Sequence, residues 1–201
     1  MTTQRLLQQM QFVCELDKLK SILRQTLLTD GSRQENSAEH SWHIALMAIV
    51  LMEYAPGPIN LQRVITMLLV HDLVEIDAGD TFCYDLQGNQ DKAAREQQAA
   101  DRLFGLLPID QATELRALWE EFEAQLTLDA RFATALDRLQ PLLNNQKTEG
   151  GTWKLHSITR DQVLERMAPV TDGAPKLWVF VQQVIEDCVV AGYLRDSCTK
   201  L

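Results

Sequence analysis

The stretch Leu61-Gln62-Arg63-Val64-Ile65-Thr66-Met67-Leu68-Leu69-Val70-His71-Asp72-Leu73-Val74-Glu75-Ile76 decides the fold. Asn60 stands before it as a helix cap, and Val64, Ile65, Met67, Leu68, Leu69 and Val70 cover nearly every side of a helical wheel. A helix that is apolar all round lies inside a fold, so the pattern predicts a central helix from Leu61 to about Ile76. His71 and Asp72 then become polar residues in a buried setting. An uncompensated carboxylate there is costly, so something charged must face Asp72, and a metal ion does this directly. Taken alone, a buried His-Asp dipeptide is more often a hydrogen-bonded structural pair than a ligand set.

Upstream, Leu6, Leu7, Met10, Val13, Leu16 and Leu19 follow a three-and-four spacing, which predicts a helix from about Arg5 to Leu19, closed by the turn-forming run Thr29-Asp30-Gly31-Ser32. Asn36 or Ser37 caps a second helix running to about Tyr54, where Pro56-Gly57-Pro58 stops it. Downstream, Thr81 to Gly88 reads as a surface loop. Helical rhythm returns from Asp91 to Gly105, from Gln111 to about Gln125 with Leu115, Leu118, Trp119 and Phe122 inward, and from Asp129 to near Pro141. The polar run from Asn144 to His156 contains Gly150-Gly151 and predicts an irregular loop. Its Lys147, Trp153 and His156 are weak candidates for closing over a substrate, a solvated loop being the simpler reading. Thr159 and Gln162 have capping-box spacing for a short helix to Met167, and Pro175 begins a last helix ending near Gly192. No β-alternation emerges. The expectation is an all-α compact bundle of seven or eight helices in one domain spanning residues 1–201.

Hydrophobic residues at 46% and charged residues at 23% place the chain among folding globular proteins rather than disordered ones. A net charge of −9 gives no reason to expect a nucleic-acid polymer or an anionic membrane as partner. A small anionic substrate therefore needs a local cationic device, such as a metal or a few arginines. Cys14, Cys83, Cys188 and Cys198 form neither a C-x-x-C pair nor an even framework, so reduced thiols are expected. With no leader-like or membrane-length apolar run, the expected compartment is the cytoplasm.

His40 changes the weight of His71-Asp72. Two imidazoles and a carboxylate make the three-ligand minimum of a catalytic metal site with open positions. His43, one turn after His40, is either a fourth ligand or a core histidine beside Trp42, the second being the commoner fate of a lone His on a packed face. Glu75 follows His71 by four residues and so shares its face in a continuous helix. From there it either hydrogen-bonds a water at the metal or orients a ligand histidine.

The segment Glu35-Asn36-Ser37-Ala38-Glu39-His40-Ser41, followed some thirty residues later by His71-Asp72-Leu73-Val74-Glu75 and then Gly79-Asp80, resembles the HD-domain superfamily of metal-dependent phosphohydrolases, and within it the 5'-deoxynucleotidase-like branch. The resemblance spans roughly Leu16 to Leu143. It implies an all-helical HD-type fold, metal ligands at His40, His71, Asp72 and a later Asp, and Glu75 and Asp80 beside them as acid–base or water-positioning groups. The later Asp maps onto Asp137 in Ala135-Leu136-Asp137-Arg138-Leu139; the alternative is a surface acid paired with Arg138 or Arg131. An arginine reaching the substrate phosphate is implied in the segment leading to His40, where Arg24 and Arg33 are the candidates. Related nucleotidases carry an Arg-Trp pair there, whereas this chain reads Leu23-Arg24-Gln25-Thr26, which puts strict deoxynucleotide selectivity in doubt.

The chemistry so implied uses a divalent ion (Mn²⁺, Co²⁺, Fe²⁺, Mg²⁺ or Zn²⁺) to activate water against the phosphomonoester of a nucleoside 5'-monophosphate, with Asp72, Glu75 and Asp80 as catalytic groups. Its rivals are a phosphodiesterase or nucleoside-triphosphate hydrolase at the same site, and a nucleotide-sensing module that retains a metal without turnover. Apolar faces on the Trp119 and Trp178 segments add the expectation of a homodimer.

Overall fold

The computed structural model describes residues 3–197, so Cys198, read as a reduced thiol, lies outside the described residues. The chain opens with α1 (Thr3–Leu16), a tight turn of helix at Asp17–Ser21, and a hairpin of β1 (Leu23–Leu27) and β2 (Gln34–Asn36). There follow α2 (Ser37–Leu51), α3 (Leu61–Val70), α4 (Glu75–Ala78), α5 (Lys92–Phe104), α6 (Ile109–Ala124) and α7 (Leu128–Lys147). The chain continues through α8 (Gly151–Leu155), α9 (Arg160–Met167), α10 (Val170–Gly173) and α11 (Trp178–Val190). Eight of these helices have eight residues or more, in line with the helical bundle expected. None among the described residues is long and apolar enough to cross a membrane.

Local sequence sets most of the boundaries. Asn36 opens α2 through a reciprocal capping box, its Oδ1 accepting from the Glu39 N–H at 2.9 Å while its own N–H donates to Glu39 Oε2 at 3.2 Å. Asn60 and Thr127 cap α3 and α7 in the same manner, each accepting from a backbone N–H three residues on. Thr159 and Gln162 form the box expected for α9.

Packing departs from expectation in four places. The most enclosed helix is α7, with Phe132, Ala133, Leu136 and Gln140 at 0% exposure, whereas α3 keeps Leu69 at 46%. Second, α3 stops at Val70. From there the backbone tightens to i→i−3 bonds, Leu73 N–H to Val70 O at 3.1 Å and Glu75 N–H to Asp72 O at 3.0 Å, which brings both His71 and Asp72 inward. Third, α7 runs on through Pro141. Fourth, residues 144–156 are no solvated loop: Asn144, Asn145, Thr152 and Trp153 are buried. Gly150, at φ +91°, lets the chain turn from α7 into α8 where a Cβ would meet the Tyr193 carbonyl oxygen at 2.0 Å.

Two apolar clusters flank the site. One joins α2, α3, α7 and α11 around Ile44, Met67, Leu136 and Ile185; the other joins α1, α5 and α6 around Phe12, Leu103, Phe104 and Trp119. Trp119 is thus a core residue.

Candidate metal centre

His40 projects from the first turn of α2, His71 ends α3, Asp72 sits in the tight turn after it, and Asp137 faces all three from α7. His40 Nε2 lies 3.0 Å from Asp137 Oδ1, and His71 Nε2 lies 3.0 Å from Asp72 Oδ1 and 3.8 Å from Asp137 Oδ1. One donor atom from each of His40, His71 and Asp72 falls within 4.8 Å of the others. The three are buried, as is Asp137.

Tautomers decide what this cluster can hold. His71 Nδ1–H donates to the Leu68 carbonyl at 2.8 Å, which leaves Nε2 with its lone pair, buried and without a hydrogen-bond partner. A lone pair facing two carboxylates is repulsive unless a cation lies between them, so the orphaned nitrogen fits a metal ion. Imidazole and carboxylate donors together suit divalent transition ions and tolerate Mg²⁺.

The charges agree with that reading. Burial works against ionised Asp72, yet the adjacent His71 and Arg24 overcome it and hold the carboxyl at about 2. Asp137 is likewise driven well below its ordinary range against the pull of burial, by the neighbouring His40 and His71. Burial lowers His40, whereas for His71 the two carboxylates outweigh burial: they favour a positive charge at the Nε2 position, which either a proton or a metal ion supplies.

Around the cluster stand the other expected residues. Arg24, on β1, keeps its side chain 12% exposed and places Nη1 3.0 Å from Asp72 Oδ2 and 3.8 Å from Asp80 Oδ1. Glu75 opens α4, so the break after Val70 takes it off the helical face of His71, and the Leu68 carbonyl fills the orienting position beside that ring. Its Oε2 instead accepts from Ser37 Oγ–H at 2.6 Å. Burial raises Glu75 well above its ordinary range, with Asp72 adding to the effect; burial also raises Asp80, against the counter-pull of Arg24. Arg33 is exposed and holds Glu39 through two hydrogen bonds of 2.9 and 2.6 Å, outside the cavity lining. His43 stands beside Trp42 and faces the Gln140 amide at 3.3 Å, away from the ligand cluster.

A cavity of about 150 Å³ opens over His71, Asp72 and Asp137. Glu75, Asp80 and Arg24 line its polar end; Phe82, Tyr84, Leu142, Trp153 and Met167 give it an apolar wall. Sequence reasoning misses several of its residues. Lys92 and Glu96, paired at 3.3 Å on α5, line it together with Glu123, Arg138 and Arg166, and none of them stands in a local pattern that points to a cavity. Trp153 reads as an incidental aromatic in a polar run, though its position in a Gly-flanked segment is the available signal.

A helical bundle that buries imidazole and carboxylate donors around one cation position, with acids and an arginine at its edge, belongs to the metal-dependent phosphohydrolases. Within that class the chain is a member of the HD domain family, whose family model matches residues 16–178. It is 31% identical to the 5'-deoxynucleotidase HDDC2 of Homo sapiens over 70% of this chain and 68% of that protein. The crystal structure of a predicted metal-dependent phosphohydrolase from Magnetospirillum magnetotacticum MS-1 superposes with a TM-score of 0.91 at 58% identity, covering 95% of this chain and 96% of the other. A conserved hypothetical protein from Pyrococcus furiosus, 20% identical with a TM-score of 0.59 over 89% and 98% of the two chains, shares the fold.

Proposed function

We propose that this phosphohydrolase removes phosphate from (deoxy)nucleoside 5'-monophosphates, with His40, His71, Asp72 and Asp137 holding one divalent ion. The observation that carries the reading is the buried, unpartnered Nε2 of His71 between two carboxylates, on the floor of a cavity that also holds Arg24. When bound, the ion supplies a water of lowered pKa and polarises a phosphate oxygen. Asp72 would help hold the ion, while its Oδ2 holds Arg24. Arg24, fixed beside the cluster, offers its guanidinium to the phosphate. Glu75 and Asp80, which burial inclines toward the protonated form, take up and return protons as the ester bond breaks. Of the two arginines, Arg24 lines the cavity and Arg33 is occupied by Glu39, so the phosphate contact is assigned to Arg24.

The nucleotide substrate is supported by the activity named for the human relative. The metal is one of Mn²⁺, Co²⁺, Fe²⁺, Mg²⁺ or Zn²⁺ on donor chemistry. Free Cys14, Cys83 and Cys188 agree with a reducing cytoplasm, and residues 1–201 act as one domain. A homodimer is proposed through α11, where Val179 and Phe180 are exposed beside half-buried Trp178; light scattering that returns a monomer mass at micromolar concentration would remove it.

Metal analysis combined with phosphate release across mono-, tri- and cyclic nucleotides tests the reaction. Release from 5'-monophosphates with one bound equivalent of metal is expected. Preference for triphosphates or cyclic nucleotides would replace this reading with one of its rivals, and metal binding with no turnover would make the protein a sensor.

A further inference from the structure

We propose that Glu35 is a positioning residue that fixes the metal-binding tautomer of His40 through the side-chain amide of Gln140 and braces Arg24 with its second oxygen. The proposal rests on the reading of His40 as a metal ligand. Glu35 lies in β2 and is 2% exposed; Gln140 lies on α7, three residues after Asp137, and is fully buried. The Gln140 Nε2 donates to Glu35 Oε1 at 2.6 Å and faces His43 Nδ1 at 3.3 Å. Two acceptors on the nitrogen side of the amide turn Gln140 Oε1 toward His40 Nδ1, 3.1 Å away.

A carbonyl oxygen only accepts, so in the neutral ring Nδ1 of His40 carries the hydrogen and Nε2, 3.0 Å from Asp137 Oδ1, keeps its lone pair for a cation shared with that carboxylate. The opposite amide orientation would set an NH₂ against Nδ1, move the ring proton to Nε2 and abolish that lone pair. Glu35 Oε1, accepting from the Gln140 amide at 2.6 Å, holds the NH₂ on its own side and so disfavours the wrong orientation. Its other oxygen, Oε2, lies 3.7 Å from Arg24 Nε, and neither atom has a hydrogen-bond partner. Since Arg24 Nη1 contacts Asp72 at 3.0 Å, Glu35 stands where a ligand-orienting arm and a phosphate-facing arm meet. Packing alone would be served by an uncharged residue of the same size at lower desolvation cost.

The test compares Glu35→Gln, Glu35→Ala and Gln140→Ala, each checked for folding by thermal melting. It reads Mn²⁺ affinity by calorimetry, ¹⁵N shifts of the His40 ring in metal-free protein, and binding of inorganic phosphate to the Mn²⁺-loaded protein. Gln140→Ala should weaken Mn²⁺ binding about 10–100-fold and move ring proton away from Nδ1, as loss of a ligand's hydrogen-bond partner does. Glu35→Gln keeps an acceptor for Gln140 but loses the charge facing Arg24. It should hold near wild-type Mn²⁺ affinity while phosphate binds about tenfold more weakly. Glu35→Ala should show both losses, and if it does not fold the other two variants carry the test. Wild-type Mn²⁺ affinity together with an unchanged Nδ1–H signature in folded Glu35→Ala or Gln140→Ala would overturn the tautomer arm, and unchanged phosphate binding in Glu35→Gln would overturn the Arg24 arm. No readout requires turnover, so a wild-type protein that binds Mn²⁺ and hydrolyses no nucleotide would refute the nucleotidase reading separately.

Discussion

Asp72 divides its two oxygens between two tasks. Oδ1 faces His71 Nε2 at 3.0 Å in the cation position, and Oδ2 holds Arg24 Nη1 at the same distance. On the proposed coordination Asp72→Ala removes a ligand and frees the arginine at once, and should abolish both hydrolysis and most metal binding; wild-type metal content in that variant would take Asp72 out of the ligand set. Glu75 is separable from the metal because its hydrogen-bond partner is Ser37 Oγ, not a ligand. Glu75→Gln keeps the shape and an oxygen for that hydroxyl but cannot serve as a proton carrier at neutral pH. Turnover should fall about 10²–10⁴-fold while metal occupancy and KM change little. Loss of metal would instead place Glu75 in the coordination sphere, and full turnover would leave the proton to Asp80.

Among the elements, those built from local signals were legible in the sequence and those built from distant partners were not. Caps at Asn36, Asn60 and Thr159 and the apolar stripes gave the long helices, because both depend on residues within one or two turns. The hairpin Leu23–Leu27 with Gln34–Asn36 was invisible: a two-stranded ribbon is marginal by itself. Here it is held from afar, by Asn144 Nδ2 donating to the Leu27 carbonyl at 3.0 Å and Thr152 Oγ1 donating to that of Gln25 at 3.1 Å. That hairpin carries Arg24 and Glu35, so the part of the site hardest to read was the part resting on it. His71 and Asp72 stood out because polar side chains in an apolar helix demand compensation, His40 joined them as a second imidazole, and Asp137 entered through the family resemblance. The rule that proline ends a helix misplaced the end of α7, since burial on both sides of Pro141 outweighs the one donor it lacks. Gly150→Ala probes the α7–α8 junction: with φ at +91° and the Tyr193 oxygen 2.0 Å from where a Cβ would stand, alanine should cost more than about 1 kcal/mol. That corresponds to a fall in Tm of at least roughly 2–4 °C. An unchanged Tm would show that the junction can shift without cost.

At the scale of the whole molecule, a chain of net charge −9 gathers acids around one cavity. Asp72, Asp80, Asp137, Glu75, Glu96 and Glu123 share one cavity with Arg24, Lys92, Arg138 and Arg166. Close buried carboxylates repel one another, and a divalent ion relieves that repulsion only while the fold holds its donors together. Binding to the folded state alone adds about 2.7 kcal/mol at a hundredfold excess of ion over Kd. For a chain of this size each kcal/mol moves Tm by about 2–4 °C. Exhaustive treatment with a chelator should therefore lower Tm by roughly 5–10 °C, and added Mn²⁺ should restore it. The Asp72→Ala protein should melt at one temperature with or without chelator, which separates loss at this cluster from a general effect of the reagent. Identical melting of the wild type before and after verified metal removal would mean that the arginines and lysine already neutralise the cavity, and that the cluster draws no stability from a cation.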